Sequence, residues 1–179
     1  MLFALLSQAR ITDEYIEFHS YPFEPASVSE IRLLPWLVVE HVLPDATPPE
    51  VHTRYGDILF VHTSQRETLR AAAAEAGVPC VRRTDVWRLI LEPFADVTFD
   101  HAHQEATFAA LAASGVSRQE CLELRQHVAL ALAVYNTGGL GEWARLGLYD
   151  LLNAYRLAGK DFRGVYHESV AIARRGALL

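Results

Sequence analysis

The chain has 179 residues, half of them hydrophobic, and a net charge of −6, which suits one large domain or two small ones sharing a core. The charge is uneven: residues 1–100 carry 15 acidic and 8 basic side chains, residues 101–179 carry 7 and 8. No broad positive field exists to gather phosphates, which argues against nucleic acid as a partner.

Leu2–Ile11 is apolar, Thr12-Asp13 supplies turn chemistry, and Glu14–Tyr21 alternates, Ile16 and Phe18 opposing Glu17 and His19. Ile31–Leu43 is strand-rich but interrupted by Pro35, which predicts an edge or a bend there. Val51–Tyr55 and Asp57–Thr63 read as a hairpin about Gly56, and the run Ile58-Leu59-Phe60-Val61 has the character of a central strand. At Ser64 the period changes. Ser64-Gln65-Arg66-Glu67 has the form of a capping box, Gln65–Ala76 favours helix, and Gly77 is placed to end it. A short strand over Val78–Arg82 follows, and Thr84 or Asp85 then caps a helix that Pro93 ends or kinks.

From Asp100 onward the pattern is helical. Asp100 caps His101–Ala113, Ser114-Gly115 closes it, and Ser117-Arg118-Gln119-Glu120 opens a helix running to about Tyr135. Cys121, Leu124, Val128, Ala131 and Tyr135 share one stripe of that helix. Its last turns, Val128–Tyr135, are apolar on every side, which predicts a helix through the middle of the fold. At 8 residues this is the longest apolar run, well short of the roughly 20 needed to cross a bilayer. After a glycine-rich break, Glu142–Ala158 forms a third helix, and Val165–Arg175 a short last one. The expected class is therefore α+β: an N-terminal antiparallel-rich strand meander with a crossover helix, then a C-terminal helical bundle. The parts are 1–99 and 100–179, packed as one unit.

The order of Thr12-Asp13-Glu14 between two strands, Ser27-Val28-Ser29-Glu30-Ile31, a hairpin, and a strand Asp57–Thr63 running into a helix resembles the bacterial pleckstrin-homology-like domains. The likeness covers residues 1–77 and rests on pattern, without a signature motif. It implies binding of a lipid headgroup, a peptide or a partner protein, and no catalysis. The acidic first half departs from the lipid-binding version.

Several constellations carry chemistry. If strands 57–63 and 78–82 are parallel neighbours, His62, Ser64, Arg82, Arg83 and Thr84 converge near two helix starts as a small-anion pocket; capping plus exposed arginines explains the same residues. Asp100, His101 and His103 have metal-ligand chemistry, but on a helix the two histidines diverge. Glu120, Glu123 and His127 share a face without the second copy a di-iron site needs. Cys80 and Cys121 are too few for a Cys-only metal site or a disulfide framework. Tyr21, Phe23 and Trp36 lie in or beside proline-rich loops, either as an interface patch or as plugs for the end of the sheet. Ala144, Gly147 and Ala154 form a small-residue face that suits close helix approach, and so self-association. Residues Met1–Leu6 lack the basic flank of a signal peptide, and the expected compartment is the cytoplasm. The expectation is a non-enzymatic interaction or ligand-binding protein, without cofactor or membrane insertion, whose partner is another protein or a second copy. An anion-binding enzyme or sensor and a metal-dependent hydrolase are the alternatives.

Overall fold

The computed structural model describes residues 6–95, 101–137, 146–159 and 161–179. They fall into two units, Met1–Arg83 together with Leu179, and Thr84–Leu178. The class is α+β, as the sequence predicts: two antiparallel sheets and a crossover helix precede an all-helical region.

The first unit opens with a three-stranded sheet of β1 (Arg10–Ile11), β2 (Tyr15–Glu17) and β3 (Leu33–Pro35), with the four-residue helix α1 (Val28–Ile31) before β3. Ile16 and Phe18 are buried and His19 exposed, as the alternation requires. Pro35 ends β3, an edge strand, and a 3-10 turn over Trp36–Val38 bends the chain into a second sheet. That sheet comprises β4 (Val39–Leu43), β5 (Glu50–Thr53) and β6 (Ile58–Phe60), paired in that order, with Gly56 at φ 100° in the β5–β6 turn.

The apolar run of β6 was expected at the centre of a sheet, yet β6 is an edge strand. It is nonetheless buried on both faces, because the segment after β2 folds over it. The Tyr21 phenol oxygen accepts from the Phe60 N–H at 2.9 Å, Asp57 accepts from the Ser27 N–H at 3.3 Å, and Phe18, Tyr21, Phe23 and Phe60 form a run of edge-to-face ring pairs. Helix α2 (Arg66–Glu75) packs on β1 and β4 through Leu69, Ala72 and Ala73. It starts differently from the expected capping box. His62 is the cap, its Nδ1 accepting from the Ser64 N–H at 3.2 Å, and Thr63–Gln65 makes a 3-10 turn before the helix.

The second unit contains α3 (Val86–Leu91), α4 (His101–Ala113), α5 (Arg118–Thr137), α6 (Leu148–Ala158) and α7 (Phe162–Ala173). The boundary falls before Thr84 and not at residue 100, because α3 packs on α4, α5 and α7. Asp85 caps α3, accepting from the Arg88 N–H at 2.9 Å, and Pro93 follows in a 3-10 turn. Asp85→Ala is expected to destabilise the helical unit by about 1 kcal/mol, read as a lowered urea midpoint. The far end of α3 is closed by the buried Arg125 of α5, whose Nε donates to the Ile90 carbonyl at 2.9 Å and Nη2 to the Leu89 carbonyl at 3.3 Å. Ser117 caps α5 as predicted, accepting from the Glu120 N–H at 3.1 Å. In the apolar turns of α5, Val128, Ala131 and Leu132 are buried, whereas Leu130 is 67% exposed. Gly159 ends α6 in the left-handed region, at φ 67°. Among the described residues no helix is long and apolar enough to cross a membrane.

Candidate functional site

In the helical unit, α5 and α7 present facing stripes at helical spacing. From α5 come Leu124, His127 and Val128, and from α7 come Val165, Glu168, Ser169 and Ile172. Between them lies a groove of about 290 Å³, with Trp87 of α3 and Tyr155 of α6 completing its wall. The indole is held in place: its Nε1 donates to the Ser169 carbonyl at 2.8 Å. The phenol is held too, donating to the His127 carbonyl at 3.2 Å. Burial, and then the negative charge of Glu168, push the Tyr155 phenol above its ordinary value. His127 and Glu168 are exposed residues of the lining, and neither side chain has an ion-pair partner among the described residues. A hydrophobic floor, two fixed aromatic rings and two titratable groups at the mouth are the ingredients of a small-molecule site.

A second titratable cluster sits inside the β4–β5 hairpin of the first unit. Glu50 and His52 share a face of β5, two residues apart, and His41 is the register partner of His52 on β4. The two imidazoles stack at a centroid distance of 4.5 Å with 27° between planes, and both residues are buried. His52 Nε2 lies 2.8 Å from Glu50 Oε2. Burial pushes the Glu50 carboxyl up to about 7, and the positive charge of Arg83 pulls the other way.

The residues expected to form an anion pocket are not brought together. The segment after α2 pairs in parallel with β4, through Cys80 opposite Val42, and not with β6. Two strands therefore separate it from β6, roughly 14 Å at the usual strand spacing. The reason is physical: the outer edge of β6 is already covered by the Tyr21–Phe23 loop, so the crossover lands on the free side of β4. There Arg82 approaches Asp45 at 3.4 Å and Arg70 donates to the same carboxylate at 2.7 Å. The Arg70 hydrogen bond leads in holding the Asp45 carboxyl below its usual range. Arg83 acts on Glu50, His62 and Ser64 bond to each other at 2.7 Å, and Thr84 belongs to the second unit.

Asp100 lies outside the described residues, His101 is exposed, and His103 Nε2 meets Glu92 Oε1 at 2.6 Å. Among the described residues no group of three or more His, Cys, Asp or Glu could hold a metal. Glu120 pairs with Arg175 at 2.6 Å and Glu123 accepts from Gln119 at 2.7 Å, so His127 stands apart from both on the groove. Of the two readings of the aromatic residues, burial favours plugs: Phe23 and Trp36 are buried within the first unit, the Trp36 Nε1 donating to the Thr12 carbonyl at 2.9 Å, and the Tyr21 phenol oxygen accepts from the Phe60 N–H of β6. Ala144 lies outside the described residues. Gly147 and Ala154 are buried at the start and middle of α6, which packs on α5 and α7, so that face is used inside the unit.

No family model, curated protein or solved structure matches the chain. Of the groove residues, His127 stood out in the sequence in another grouping, whereas Trp87 and Glu168 did not. The available signal was the stripe Val165, Glu168, Ser169, Ile172 at i, i+3, i+4 and i+7 on a helix that begins at Phe162.

Proposed function

We propose that this chain is a ligand-binding protein whose site is the groove between α5 and α7. The single observation behind the reading is a cavity of about 290 Å³ lined by two aromatic side chains fixed by hydrogen bonds, together with His127 and Glu168. Rings held in place before a ligand arrives lose little freedom when it binds. A reducing compartment such as the cytoplasm fits the same reading, since both Cys80 and Cys121 are free thiols.

The test uses the neutral fluorescent probe N-phenyl-1-naphthylamine and the full chain. Wild-type protein is expected to enhance its fluorescence saturably. Val165→Trp, at a half-buried position on the groove wall, is expected to weaken probe binding at least tenfold by filling the space. Equal binding by both proteins, or none by the wild type, would remove this reading.

A further inference from the structure

Building on the groove reading, we infer that its ligand is a small organic cation, an amine on an apolar or aromatic body, with Glu168 as the recognition carboxylate. The charge of the lining decides the sign. Among the described residues that line the groove, Glu168 is the one carboxylate, and neither Lys nor Arg is among them. An anionic ligand would therefore find a carboxylate and, among the described lining residues, no fixed positive group. A cation finds the opposite.

The aromatic walls act in the same direction. Trp87 and Tyr155 line the same groove as the carboxylate, and indole and phenol rings attract a positive charge through their electron-rich faces. Neither ring offers a competing donor, because the indole N–H and the phenol O–H are both already spent on main-chain carbonyls within the unit. Burial first, and then the charge of Glu168, raise the Tyr155 phenol, in keeping with a carboxylate close to the wall of the groove. The apolar body of the ligand is accommodated by Leu124, Val128, Val165 and Ile172, the lining that makes burial of a hydrocarbon portion favourable.

Isothermal titration of the full chain with three near-isosteres tests the assignment: 2-phenylethylamine, 2-phenylethanol and phenylacetate. The expected order is amine, then alcohol, then carboxylate, with the amine at least tenfold tighter than phenylacetate. Glu168→Gln, at an exposed position, is expected to shrink that ratio to within about twofold. Phenylacetate binding as well as the amine does, or an amine preference that survives Glu168→Gln, would overturn the assignment. If N-phenyl-1-naphthylamine still binds and Val165→Trp still blocks it, the groove reading stands while the cation assignment fails. If that probe and all three compounds go unbound, both fall together.

Discussion

Raising the pH from 4.5 to above 7 is expected to weaken the β-rich unit by about 3 kcal/mol through Glu50 alone. In the fold the carboxyl is pushed from 4.5 to about 7, burial being the larger cause and Arg83 opposing it. A folded group that holds its proton to a higher pH binds more protons than the unfolded chain does between those two values. Stability from this group is thus fully present below 4.5 and is lost as pH rises through 7, at about 1.4 kcal/mol per unit of displacement. Glu50→Gln removes the titration while keeping a hydrogen-bonding side chain beside His52. Native-state amide exchange at Val51 and Thr53, corrected for the intrinsic rate, measures the difference. Wild-type protection should fall on the order of fiftyfold or more from pH 5 to 8.5, while the Gln variant stays much flatter over that range. Parallel curves for the two proteins would refute the assignment. A ¹³C titration of the wild-type Glu50 carboxyl gives the same answer without any substitution.

Trp87→Ala is expected to cost the helical unit about 3–5 kcal/mol. The indole is 2% exposed, and its N–H satisfies the Ser169 carbonyl at 2.8 Å. Truncation removes the contacts of a large side chain, leaves a void, and strips a buried carbonyl of its donor. Against total stabilities of roughly 5–15 kcal/mol, that loss brings unfolding close to physiological temperature. Urea denaturation followed by far-ultraviolet circular dichroism reads it. Trp87→Phe keeps the ring and loses the donor, so it should cost less, about 1–2 kcal/mol. A loss under 1 kcal/mol for the alanine variant would mean that the indole is not a core element. The groove depends on the same ring, so probe binding is expected to weaken in both variants.

How much of this was legible in the sequence depended on whether the cause was local. Helix starts with a short capping side chain were readable: Ser117 and Asp85 cap as their spacing implies. The Pro35 bend was readable because a missing N–H and a fixed φ act on the residue itself. Sheet order was not. Whether Ile58–Phe60 lies at a centre or an edge depends on where residues 18–27 and 80 come to rest, and a buried edge strand has the composition of a central one. That error carried the anion pocket with it, since convergence of His62 and Arg82 required neighbouring strands. The groove was illegible for a different reason: its nine residues come from four helices, and only their packing reveals the space between them.

The phenol of Tyr21, seated on the outward amide of Phe60, has a consequence for how this chain meets other molecules. A bare strand margin is a template on which foreign chains polymerise. Here that margin is shut by the protein's own aromatic loop, so β6 can neither recruit an incoming strand nor seed a fibril while the lid stays in place. Removing the lid with Tyr21 and Phe23 both changed to Ala would expose hydrocarbon and an unsatisfied amide together, turning a closed border into a sticky one.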